Sequence, residues 1–174
     1  MDELASWVGD GYPMAFRTAC LILRNPADAE EAVQEAFLRV WRFRAAIPPP
    51  PARNAWLYRV VVNSCLSRLR ADARRPRTGD GAEVTHLPAP DPDPGQAAEH
   101  AGLAAAVLGA LADLPEHLRV PLVLRYYSGL AEREIATAIQ RRPGTVKSRL
   151  AEARRRLALD PALAAWVQPE EEAR

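Results

Sequence analysis

A stretch rich in proline and acid near the middle of the chain constrains its folding more than any other feature. Between Pro76 and Glu99 lie five of the 16 prolines, three glycines, and the acids Asp80, Glu83, Asp91, Asp93 and Glu99, against one basic residue, Arg77. Proline cannot continue a helix, and so polar a stretch buries too little apolar surface to fold alone. Residues 76–97 are therefore expected to be a linker, semi-extended from Pro88 to Pro94. They leave an N-terminal unit, 1–75, a C-terminal unit, 98–160, and a short tail, 161–174. Units of this size bury only about 60% of their unfolded surface, so docking onto a partner would help both.

Both units read as helical. Pro13 can open a helix with the stripe Phe16, Ala19, Cys20 and Leu23, at i, i+3, i+4 and i+7. Asn25-Pro26 supplies a cap and a first-turn proline for a second helix, 26–44, with Asp28, Glu30 and Glu31 near its positive end. Its apolar stripe is Ala29, Val33, Ala36, Phe37 and Val40. The loop Pro48 to Pro51 breaks the chain before a third helix, roughly 54–74, with Leu57, Val60, Val61, Leu66 and Leu69 inward. Beyond the linker the pattern predicts helices near 98–112, 116–127, 132–139 and 144–158, with Pro115 a natural start and Gly129 a natural stop. Only Val60 to Val62 looks strand-like, and its flanks are helical. The expected fold is all-α, two small helical domains joined by the linker.

Composition excludes much. At 48% hydrophobic and 26% charged, the chain is globular, and no apolar run approaches the roughly 20 residues needed to cross a bilayer. The acidic start, Met1-Asp2-Glu3, lacks the order of a signal peptide. Cys20 and Cys65 make no disulfide framework and read as small core hydrophobes, and Trp7 and Trp166 as packing anchors. No metal-ligand spacing or phosphate loop is present, and the three histidines are scattered. The expectation is a cytoplasmic non-enzyme with no catalytic residues, metal, cofactor or membrane insertion.

The net charge of +1 hides a segregation. Residues 53–77 hold seven arginines and one acid, and residues 141–156 hold seven basic residues and one acid, so each carries +6. Two basic faces on a nearly neutral chain are the footprint of phosphate contact, with simple solubility as the plainer alternative. In the second of these stretches, helices 132–139 and 144–158 and their short connection have the lengths of a helix-turn-helix. Val146, Leu150, Ala153 and Leu157 share one face, where Ile135 and Ile139 can meet them. Thr145, Lys147, Ser148, Arg149 and Glu152 are left on the open side, near the end that reaches base edges. Periodicity alone fits an ordinary antiparallel helix pair equally well.

The residues 28–42 (Asp-Ala-Glu-Glu-Ala-Val-Gln-Glu-Ala-Phe-Leu-Arg-Val-Trp-Arg), with Ala-Trp-Leu-Tyr-Arg at 55–59 and Asn63, resemble the second conserved region of sigma-70-type factors. Residues 114–126, 129–136 and 144–150 resemble the fourth region. Two domains with only a linker between them look like the extracytoplasmic-function group. There are departures. Ala131 stands where the family usually has Ser or Thr, which removes a cap worth ~1 kcal/mol. Gln140 replaces the usual turn glycine, Arg141 a usual apolar residue, and Ser67 a common acid, and the loop 48–51 is unusually rich in proline.

The resemblance implies a factor that binds the RNA polymerase core, recognises promoter DNA through both domains, helps open the duplex and is held inactive by an anti-sigma factor. On helix 26–44 the core stripe leaves Glu31, Gln34, Glu35, Leu38, Arg39 and Arg42 outward. A leucine on such a face suits an interface, and the resemblance makes its partner the clamp helices of the polymerase's largest subunit. A solvated face with one stray leucine is the plainer alternative. Trp56, Tyr58, Arg59 and Asn63 combine stacking surfaces, a cation and an amide, as single-stranded DNA requires. Trp56, Arg59 and Asn63 fall along one edge, beside a 48–53 loop that ends in Arg53. Trp56 fits a core position equally well. The resemblance gives these residues the minus-ten element, and it gives Arg142, Thr145, Lys147, Ser148, Arg149, Glu152 and Arg155 the minus-thirty-five element. A helix-turn-helix regulator acting without core polymerase is the main rival. An enzyme acting on nucleic acid is a remoter one, since the acids lie on an open helix face and a linker.

Overall fold

The computed structural model describes residues 2–49, 52–73 and 97–164. The linker as far as residue 96, Pro50, Pro51, and the tail from 165, Trp166 included, lie outside them. The described residues form eight α-helices, one 3-10 turn and no strand.

The first bundle is α1 (Asp2–Leu23), α2 (Pro26–Arg42) and α3 (Ala52–Asp72). Asn25 starts α2 as its neighbours suggest: its Oδ1 accepts from the amides of Ala27 at 2.9 Å and Asp28 at 3.3 Å, and Pro26 takes the first helical position. Ala29, Ala32, Val33, Ala36 and Val40 are buried on one stripe, and small side chains there let α1 and α3 pack closely. Arg68 of α3 ties the outer seam, meeting the carboxylates of Asp28 at 2.8 Å and Glu31 at 2.5 Å. Gly11 marks where α1 crosses α3, for a Cβ there would stand 2.9 Å from Leu57 Cδ2.

Pro13 does not open α1, which runs through it from Asp2. The ring costs the helix one backbone hydrogen bond, but packing on both sides of it outweighs that loss. Behind Pro13, residues 18–23 are all buried. Ahead of it, Trp7 Nε1 donates to Asn54 Oδ1 at 3.1 Å and Arg53 lies over the Trp7 ring at 5.6 Å.

The second bundle comprises α4 (Ala97–Asp113), α5 (Glu116–Tyr126), α6 (Glu132–Ala138), α7 (Pro143–Leu157) and α8 (Pro161–Ala164). Gly129, at φ 68°, turns the chain after α5. Ala131 offers no side-chain cap to α6, but the Glu134 carboxylate accepts from the Ala131 amide at 2.8 Å, which is half of a capping box. At its far end the Arg141 amide donates to Ala136 O at 2.9 Å and the Gln140 amide to Thr137 O at 3.4 Å, closing α6 with Gln140 left-handed at φ 53°. Ile135, Ala136, Ala138 and Ile139 then pack with Val146, Leu150 and Ala153 in a buried apolar seam. The tail expected from residue 161 begins differently: α8 packs on α4 and buries Leu163, because an apolar Leu163 gains more against α4 than in water.

The two bundles touch. α5 is buried from Leu118 to Leu124 because α7 covers one side and α1 another, and α3 meets α6. Arg119 is a buried cation inside this contact, its Nε donating to the carbonyl of Ile22 at 3.1 Å.

Candidate nucleic-acid interface

The outer face of α2 presents Glu31, Gln34, Glu35, Leu38, Arg39 and Arg42, all exposed. Each is outward because the alanine and valine stripe turns the opposite side inward. Glu35 pairs with Arg39 at 2.5 Å and Gln34 bonds Glu30 at 3.3 Å, while Glu31 is shared with Arg68. Leu38 is 66% exposed. It has company that the sequence pattern did not single out, since Trp41 is 57% and Phe43 58% exposed. The Arg44 guanidinium lies over the Trp41 ring at 5.4 Å. The signal available in the sequence was the i, i+3 spacing of Leu38 and Trp41 outside the core stripe.

On α3, Trp56, Arg59 and Asn63 are each half-buried along an edge that remains open. Trp56 also packs against the core, so one side chain serves both readings. Arg53, at the start of α3, donates to the Pro48 carbonyl at 3.5 Å as well as covering Trp7, which fixes the loop to the helix. Tyr58 departs from this edge. Its hydroxyl meets Ser128 and Thr18 in the contact between the bundles, where burial pushes its pKa up. Residue 58 lies more than a quarter of a turn around α3 from each of 56, 59 and 63, so it does not share their edge.

On α7, Lys147 and Ser148 are exposed, Thr145 and Arg149 are half-buried, and Arg142 is the exposed residue before the first turn. Glu152 is held by Arg155 at 2.5 Å and by Arg156 at 2.9 Å, and these cations hold its carboxyl below the usual range. An open groove at the turn between α6 and α7 is lined by Arg133, Arg141, Arg142, Thr137, Gln140 and Thr145. The sequence pattern named Arg142 and Thr145 but not Arg133, which only the fold brings to this groove. Among the described residues no cluster of His, Cys, Asp and Glu could hold a metal ion, and no helix is long and apolar enough to cross a membrane.

Residues 8–75 match the family model described as Sigma-70 region 2, and residues 104–157 match that described as Sigma-70, region 4. The RNA polymerase sigma-H factor of Pseudomonas aeruginosa is 36% identical over 82% of this chain and 78% of its own. The chain belongs to the sigma-70 family, in its extracytoplasmic-function group. The ECF RNA polymerase sigma-E factor of Escherichia coli is 33% identical to this sigma factor, over 73% of this chain and 70% of that one. The ECF factor SigE of Mycolicibacterium smegmatis is 32% identical over 90% of this chain, which spans 59% of that longer relative. Among solved structures, the sigma factor RpoE of Bartonella quintana, in complex with the anti-sigma factor NepR, shares the fold of this sigma factor. The match has a TM-score of 0.69 at 20% identity and covers 91% of this chain and 96% of that one.

Proposed function

We propose that this sigma factor docks on the RNA polymerase core through the outer face of α2, recognises a two-part promoter through α3 and α7, and assists duplex opening. The observation that carries the reading is the exposed apolar group Leu38, Trp41 and Phe43 at the end of a face otherwise polar and charged. Apolar side chains gathered there suit burial by a protein partner. Likeness to the family supports the clamp helices of the polymerase's largest subunit as that partner. Trp56, Arg59 and Asn63, with Arg53 at the loop, suit a separated strand at the minus-ten element, by stacking, charge and amide contact. Thr145, Lys147, Ser148 and Arg149 suit base edges of the minus-thirty-five element, with Arg142 and Arg155 on phosphates and Glu152 orienting Arg155. The sigma factor brings no chemistry of its own and works in the cytoplasm, where the polymerase is. An anti-sigma factor restrains it, as NepR is bound to the Bartonella relative.

Adding the folded protein to sigma-free core polymerase should produce specific initiation at a cognate promoter. Leu38→Asp should weaken core binding by tenfold or more while the free protein keeps its helix content by circular dichroism. Failure of the unaltered protein to bind core removes the proposal. Unfolding by Leu38→Asp would place Leu38 in the core and remove the face assignment.

A further inference from the structure

We propose that Trp7, near the start of α1, is a positioning residue for the minus-ten contact. It holds Arg53 and Asn54 at the start of α3, so that a separated strand meets a guanidinium already in place. The inference rests on the promoter-binding reading of α3 above, and it adds a residue just ahead of the stretch 8–75 that matches region 2. Three contacts converge here. The Arg53 guanidinium lies over the Trp7 ring at 5.6 Å from its centroid. Trp7 Nε1 donates to Asn54 Oδ1 at 3.1 Å, across 47 residues of sequence. Arg53 Nε donates to the Pro48 carbonyl at 3.5 Å. Only a long α1 makes this meeting possible. A helix that opened at Pro13 would stop about 9 Å short of Trp7, at 1.5 Å per residue. The hydrophobic core does not call for that extra length. None of residues 6–14 is fully buried, and the buried positions of α1 begin at Ala15. What the leading turns of α1 add is the hold on Arg53 and Asn54.

Each contact fixes a different freedom. An indole face is the best aromatic partner for a cation, and a guanidinium stacked on it keeps its charge while its plane is set. The Pro48 carbonyl fixes where along that plane the Nε points. The bond to Asn54 ties down the indole itself, so the ring cannot swing away from Arg53. A long arginine side chain otherwise loses its rotamer freedom at the moment it binds, and that loss is subtracted from affinity. Here it is met when the protein folds. Arg53 stands about one turn before Trp56, where the edge formed by Trp56, Arg59 and Asn63 begins. The ordered cation is therefore at the end of the edge that suits a separated strand. A leucine or phenylalanine would fill a half-buried site equally well. Only tryptophan supplies both the strongest ring face and a donor for Asn54.

The test uses the full chain assembled with core polymerase. It reads promoter opening by permanganate and affinity for a single strand carrying the minus-ten sequence. Trp7→Leu keeps an apolar side chain but loses the ring and the donor. It should lower both readouts about three- to tenfold, the range expected when one more long side chain must be ordered on binding. Trp7→Phe restores a ring face and should recover most of the loss. In an Arg53→Ala background, Trp7→Leu should cost nothing further. Losses that add in that background would mean that Trp7 acts through the fold rather than through Arg53, and would overturn the proposal. So would full opening by Trp7→Leu. If Trp7→Leu does not fold, Arg53→Lys decides, because lysine keeps the charge without the planar fork, and undiminished opening by it overturns the proposal. In the protein without core, the Arg53 side-chain protons should be shifted upfield in the NMR spectrum by the Trp7 ring, and Asn54→Ala should reduce that shift. Absence of the shift overturns the proposal and leaves the promoter reading standing. The shift in a protein that opens no promoter supports the hold of Trp7 on Arg53 and removes the promoter reading instead.

Discussion

Replacing Gln140 by glycine should stabilise the protein. Gln140 sits at φ 53°, at the residue that ends α6 and turns the chain toward α7. For a residue with a Cβ this left-handed conformation costs roughly 1–2 kcal/mol, and glycine adopts it freely. Against that relief stands the greater freedom of glycine in the unfolded chain, about 0.4–1 kcal/mol. The side chain itself is exposed, so little packing is lost. The net expectation is stabilisation of about 0.5–1 kcal/mol. In urea this should appear as a higher midpoint at an unchanged slope. In a thermal melt it should raise Tm by about 1–4 °C if the chain unfolds as one unit, and by more if the second bundle melts alone. Gln140→Ala keeps the left-handed strain and should change little. A glycine variant less stable than the parent, or an alanine variant stabilised as much as the glycine one, would refute the assignment of strain to this turn.

Ala131→Ser should complete the capping box that Glu134 half forms and add about 1 kcal/mol, read by the same melts; no gain would mean that the Glu134 carboxylate already satisfies this end of α6. Arg149→Ala should cost about 1–3 kcal/mol on the cognate minus-thirty-five duplex and little on a scrambled one, whereas Arg155→Ala should weaken both alike and lower the salt slope by about one. Equal losses from Arg149→Ala on both duplexes would make it a phosphate contact. Burial pushes the thiols of Cys20 and Cys65 up to about 11 and about 12. Both should therefore resist Ellman's reagent in the native protein at pH 8 and react on unfolding. Because the unfolded thiols ionise first, stability should fall as pH rises from about 9 toward 11, and fast native labelling would contradict this burial.

Much of this molecule was legible in its sequence because the signals are local. Asn25 and Pro26 start α2 through bonds within three residues, and the alanine and valine stripe of α2 sends Leu38 outward whatever else is present. The seam between α6 and α7, the stop at Gly129 and the exposed Lys147 and Ser148 follow from the same periodicity and turn chemistry. Tertiary structure decided the positions whose surroundings come from another element. Pro13 stays inside α1 because Trp7 and residues 18–23 are held on either side of it. Leu163 belongs to the second bundle because α4 lies beneath it. Tyr58 carries the same ring as a DNA-stacking residue, yet its hydroxyl finds Ser128, which stands 70 residues away. Arg119 reads in sequence as one more solvated cation of an amphipathic helix. It becomes a buried donor only when the end of α1 brings the carbonyl of Ile22 against it, because a helix end can be capped by any chain segment that the fold delivers there.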